Sequence, residues 1–94
     1  MNEKLIEKKL RESVKKLGGL ALKFSSMTYT GMPDRIVLMP GARVSFAEIK
    51  TTGKKPSPRQ RIVITLLRRL GFKVGLLDSQ ESLDKFLEEI ENEI

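Results

Sequence analysis

Hydrophobic positions along the chain fall into segments of two distinct periods. Ile6, Leu10, Val14 and Leu17 recur at helical spacing and predict a first helix that Gly18 and Gly19 end. A short strand is predicted over residues 20–24, then a polar loop over residues 25–32, with Pro33 favouring an extended entry into the next segment. Residues 34–39 and 44–51 read as strands separated by the turn residues Pro40 and Gly41, which predicts an antiparallel hairpin. After a loop containing Gly53, Lys54, Lys55 and Pro56, a second helix is expected from Pro58 with Ser57 as N-cap. Its buried side is expected to carry Ile62, Val63, Leu66, Leu67 and Leu70, and Gly71 ends it. Residues 72–77 form a fourth predicted strand, and Asp78 or Ser79 caps a last helix burying Leu83, Phe86, Leu87 and Ile90. The order α-β-β-β-α-β-α predicts an α/β fold, one domain over residues 1–94, with a mixed central sheet flanked by helices. The second helix can carry the chain across to a fourth strand lying parallel to its neighbour.

Composition narrows the chemistry. With 39% hydrophobic and 32% charged residues the chain reads as a soluble globular domain. No apolar run approaches the roughly 20 residues that span a bilayer, and the charged start lacks a signal-peptide core, so an intracellular, cytoplasmic location is expected. Cysteine and histidine are both absent, which excludes disulfides, thiolate metal sites and a Ser-His-Asp triad. Hydrolytic chemistry would have to use carboxylates, lysine, hydroxyls and a hard cation such as magnesium or manganese.

The net charge of +6 is unevenly spread. Residues 1–77 carry 17 basic and 5 acidic side chains, a net of +12, whereas residues 78–94 carry 1 and 7, a net of −6. Such a basic body attracts phosphate polymers through counterion release, although an anionic membrane or simple solubility would use the same charge.

Alternation in the hairpin puts Asp34, Ile36 and Leu38 on one face of its first strand, and Val44, Phe46, Glu48 and Lys50 on one face of its second. Pairing Leu38 with Val44 and Ile36 with Phe46 sets Asp34 opposite Glu48, with Cβ atoms roughly 5 Å apart. At an effective dielectric near 20 their repulsion would be about 3 kcal/mol, which a bound divalent cation would remove. Both carboxylates and the backbone carbonyl of Ile49 are candidate ligands, with Lys50 beside them. Taken alone, Glu48-Ile49-Lys50 on a strand also reads as a solvated ion pair, and Asp34 as a turn residue.

Gly31-Met32-Pro33-Asp34-Arg35, Phe46-Ala47-Glu48-Ile49-Lys50 and the downstream Gln60 together resemble the signature of the PD-(D/E)xK nucleases, and more closely the virus-type replication-repair nuclease (VRR-NUC) domain. The similarity runs from Glu7 and Leu17-Gly18-Gly19 through the hairpin to Gly71 and Val74. It implies a restriction-endonuclease-like fold and magnesium-dependent endonuclease activity on DNA, with manganese as a substitute ion. Asp34 and Glu48 would bind the metal, and Lys50 would orient the attacking water and stabilise charge on the phosphate. Gln60 matches the family's downstream glutamine, but it is also the N3 residue of a capping box with Ser57, and both roles stay open. Glu7 matches the acidic residue that the family places on its first helix. Glu3, one turn earlier, and an i,i+4 pairing of Glu7 with Arg11 are the alternatives. Lys54, Lys55, Arg59 and Arg61 are candidate nucleic-acid contacts, as are the more distant Lys8, Lys15, Lys16 and Lys23. Tyr29, in the polar loop before the motif, could stack on a base or sugar, or serve only packing or solubility, and is not counted among the site residues. Stand-alone relatives resemble junction resolvases, so the resemblance implies a branched DNA substrate such as a Holliday junction and a role in DNA repair. A 94-residue monomer offers little surface to hold a four-way junction, so a homodimer presenting two active sites is expected. No organic cofactor and no membrane partner are expected. The competing reading is a non-catalytic basic module that binds nucleic acid. In a third, the acidic last helix docks on a basic partner.

Overall fold

A computed structural model describes residues 1–92. Its elements follow the predicted order: α1 (Glu3–Lys16), β1 (Leu20–Lys23), β2 (Arg35–Met39), β3 (Arg43–Ile49), α2 (Pro58–Arg69), β4 (Lys73–Leu77) and α3 (Gln80–Glu91). The four strands lie in the order β1-β2-β3-β4, antiparallel across the first two pairs and parallel between β3 and β4. The predicted hairpin and the α2 crossover are therefore both present. Strand ends differ from expectation by one or two residues, because ladder pairing rather than residue type sets them.

Helix ends are fixed by local chemistry. The Asn2 side chain accepts from the Leu5 amide, and Ser57 and Ser79 each form a capping box at the starts of α2 and α3. Helices α1 and α3 cover one face of the sheet, burying Ile6, Leu10, Val14, Leu83, Phe86 and Ile90 against Val37, Met39, Ala47, Ile49 and Leu77. Phe86 lies so close to Gly75 that a Cβ there would come within 2.5 Å of its ring, so only glycine lets α3 settle on β4. Helix α2 covers the other face, placing Val63, Ile64 and Leu67 on Phe46 and Val74. Layers on both faces explain why β3 is buried continuously from Ser45 to Ile49.

One expectation needs correcting. Ile62, Leu66 and Leu70 of α2 are exposed, at 61%, 40% and 65%, while Ile64, not expected in the core, is buried. The segment from Ile62 to Leu67 is apolar at every position but Thr65, so two helical phases bury comparable area. The position of β4 selects the one centred on Val63, Ile64 and Leu67.

Candidate active site

Asp34 and Glu48 meet just beyond the paired ends of β2 and β3. The register is the predicted one, Ile36 with Phe46 and Leu38 with Val44, and the ladder runs out at Arg35 and Ala47. One step further, Asp34 faces Glu48. Buried Pro33 and a hydrogen bond from the Phe24 amide to the Asp34 carbonyl, 2.8 Å, fix the backbone there.

The two carboxylates are cross-linked through each other's strands. The Asp34 amide donates to Glu48 Oε1 at 3.1 Å, and the Ile49 amide donates to Asp34 Oδ1 at 3.1 Å. Glu48 is only 3% exposed, and its Oε2 accepts from Gln60 Nε2 at 3.0 Å and lies 3.2 Å from Lys50 Nζ. A buried carboxylate requires this number of donors. Gln60 makes the capping contact and touches the acid as well: its Oε1 accepts from the Ser57 amide at 2.9 Å while its Nε2 donates to Glu48. The capping box thus aims the amide at the acid.

Asp34 is the more open of the pair. Burial of its carboxyl, reinforced by the nearby Glu48 charge, pushes its pKa up to about 6, with Glu3 adding to the effect and backbone amides opposing it. On α1, Glu7 forms an ion pair with Arg35, whose residue is 4% exposed. Arg35 pairs with Ala47, so it lies on the α1 face of the sheet, one residue out of step with Asp34. Glu7, Asp34 and Arg35 nevertheless line one cavity of about 380 Å³ together with Lys23, Phe24 and Ser25.

The donor set fits a hard divalent ion. All the candidate ligands are oxygens, and Asp34 and Glu48 raise each other's electrostatic cost in the absence of a cation. Among the described residues no three acidic side chains converge tightly enough to form a cage. Magnesium does not need one, because it keeps several waters and commonly uses one or two carboxylates plus phosphate oxygens.

The sequence matches the VRR-NUC domain over residues 1–81. The chain belongs to the VRR-NUC family. It is 43% identical over 81 residues to a protein of Acyrthosiphon pisum secondary endosymbiont phage 1 described as "Putative nuclease p44", covering 86% of this chain and 87% of that one. A solved structure described as a VRR_NUC domain superposes with a TM-score of 0.84 at 32% identity, covering 92% of this chain and 94% of the other.

The VRR-NUC positions singled out in the sequence separate in space. Asp34, Glu48, Lys50 and Gln60 form one bonded cluster, and Glu7 joins Asp34 at the neighbouring cavity. Lys54 and Lys55 line a second, smaller cavity of about 170 Å³ with Lys50, which places them beside the cluster. Arg59 is engaged by the loop between β1 and β2, its Nε donating to the Thr30 carbonyl at 3.1 Å. Arg61 lies elsewhere, in a groove with Ile62, Thr65, Leu66 and Arg69. Sequence reasoning assigned no role to Arg35, although an arginine in step with core residues Val37 and Met39 demands a buried counter-charge. Glu3, the alternative to Glu7, lies instead at Thr51, whose hydroxyl donates to Glu3 Oε2 at 3.2 Å.

Proposed function

We propose that this chain is a magnesium-dependent endonuclease that hydrolyses DNA phosphodiester bonds, with Asp34 and Glu48 as metal ligands, Lys50 as the group acting on water and phosphate, and Gln60 as the residue that positions Glu48. The observation that carries this reading is the cross-bonded pair Asp34 and Glu48, with Lys50 and Gln60 held on the same carboxylate. Bound there, and at the Ile49 carbonyl, the ion would acidify water and polarise a phosphoryl oxygen. Lys50, its ammonium on Glu48 and its side chain partly open, would position the attacking water and offset charge developing on the phosphate. Gln60 keeps Glu48 oriented through its amide. Lys54 and Lys55 adjoin the site as phosphate contacts, and Arg59 and Arg61 extend the basic surface along α2.

The substrate we propose is branched or otherwise structured DNA, cut by a homodimer. Support for the dimer is the unused apolar surface: Ile62, Leu66 and Leu70 on α2, and Leu20 and Leu22 of edge strand β1. The last two pair with Leu38 and Ile36 and therefore lie on the α2 face of the sheet. Sedimentation at micromolar concentration should give twice the chain mass, and Leu66→Lys should return a monomer; a wild-type monomer would remove this part of the proposal.

The test of the activity is cleavage of labelled duplex, single-stranded, flap and four-way-junction DNA, with magnesium and with chelator. Cutting that disappears with chelator and in Lys50→Ala supports the enzyme. One observation favours a second reading, a non-catalytic DNA-binding module: each carboxylate already accepts a backbone amide of the neighbouring strand, as a purely structural pair would. Binding without cleavage on every substrate, in magnesium and in manganese, would select that module.

A further inference from the structure

Four of the five aromatic side chains are spent on packing. Phe24, Phe46 and Phe72 meet edge to face, with ring centroids 5.9 and 5.4 Å apart, and Phe86 is buried between α3 and the sheet. Tyr29 is the exception. It stands 41% exposed on the loop between β1 and β2, and Met27, two residues earlier, is fully exposed.

This loop is held in place. The Tyr29 amide donates to Ser26 Oγ at 3.1 Å, and Arg59 Nε donates to the Thr30 carbonyl at 3.1 Å. The Arg59 guanidinium carbon lies 5.0 Å from the centroid of the Tyr29 ring. Gly31, at φ +89°, packs so tightly on α2 that a Cβ would come within 2.8 Å of Arg59. The ring is therefore oriented before any ligand arrives, with a cation behind it. Both partners also adjoin the carboxylates along the chain: the loop runs directly into Asp34, and Arg59 precedes Gln60, whose amide bonds Glu48. An exposed cation–π contact adds little stability, so a latch alone does not explain leaving a tyrosine and a methionine in water. An oriented ring backed by positive charge is, by contrast, what a nucleotide base stacks on at low entropic cost.

We propose that Tyr29, backed by Arg59 and flanked by Met27, is a stacking platform for an unpaired base of DNA beside the cleavage site, and that it selects substrates with unstacked positions over intact duplex. Its placement rests on the nuclease reading above. Bases within a continuous duplex have both faces covered and cannot reach the ring, whereas a base at a branch point, flap or single strand can.

Tyr29 is the sole tyrosine and the chain has no tryptophan, so emission excited beyond the phenylalanine absorption band reports this ring alone. The wild-type protein, in chelator, is titrated with an oligothymidine single strand and with a blunt duplex of equal length, and affinities are read in parallel from the anisotropy of labelled DNA. The platform predicts quenching by the single strand and little by the duplex. Tyr29→Leu should weaken single-strand binding about tenfold while leaving duplex binding and melting temperature unchanged, and Tyr29→Phe should restore it. Single-strand binding without quenching, or a Tyr29→Leu variant that melts earlier and weakens both DNAs equally, would overturn the platform in favour of a structural latch. The two readings fail separately. Cleavage in magnesium with no quenching removes the platform and leaves the nuclease, and quenching without cleavage on any substrate does the reverse.

Discussion

Replacing Gln60 with methionine removes two hydrogen bonds at once: the one that completes the α2 capping box and the one that Nε2 donates to Glu48. Their separate weights depend on the surroundings. Ser57 Oγ still accepts from the residue 60 amide, so the cap is only partly lost, at a few tenths of the ~1 kcal/mol that a whole N-cap contributes. The bond to Glu48 is charge-assisted and its acceptor is 3% exposed, which puts its loss at about 1.5–3 kcal/mol. Together these lower stability by about 2–3 kcal/mol, or roughly 8–24 °C in Tm for a domain of this size. Ser57→Ala is the complementary change. It removes the cap, costs about 1 kcal/mol and roughly 4–8 °C, and leaves the Gln60 amide within reach of Glu48. The two variants are compared by thermal unfolding and by single-turnover cleavage at a temperature where both are folded. Gln60→Met should lose at least tenfold in the cleavage rate, corresponding to about 1.4 kcal/mol of transition-state stabilisation, and Ser57→Ala should cut at close to the wild-type rate. If Ser57→Ala slows cleavage as much as Gln60→Met does, the glutamine acts only by starting the helix. If Gln60→Met leaves the rate intact, its contact with Glu48 has no part in the chemistry.

Two further predictions concern charge. Because the Asp34 pKa is raised from 3.8 to about 6, folding binds its proton more tightly than the unfolded chain does, so the group has no effect below pH 3.8 and destabilises progressively as pH rises through about 6. Asp34→Asn should therefore raise Tm near pH ~7.5 and change it little near pH ~4, and magnesium should stabilise wild type but not the variant at the higher pH; an equal shift at both pH values would contradict the assignment. Glu7→Gln should cost about 3 kcal/mol in chemical denaturation, since it leaves a guanidinium that is 5% exposed without its counter-charge. Arg35→Met should cost less, because Glu7 is 27% exposed and can turn to water, and the double variant should fall short of the sum; strict additivity would mean that the two side chains do not interact.

Element order, the hairpin register and the α2 cap were legible along the chain, because each depends on residues close together in it. Pro58 after Ser57, the turn at Pro40-Gly41 and the alternation through Ile36, Leu38, Val44 and Phe46 leave few other local structures. The meeting of Asp34 and Glu48 was legible for the same reason, being a consequence of a short hairpin. Contacts between elements distant in sequence arise only once the helices pack on the sheet. The phase of α2 could not be read from a segment that is apolar on two flanks; the position of β4 buries Ile64 and leaves Ile62, Leu66 and Leu70 in solvent. Glu7 was marked by the resemblance alone, and its partner is Arg35 on β2, which no spacing links to α1. Gln60 shows the boundary most plainly. Its capping box is a three-residue pattern readable in one dimension, whereas its bond to Glu48 exists only because α2 folds back over β3.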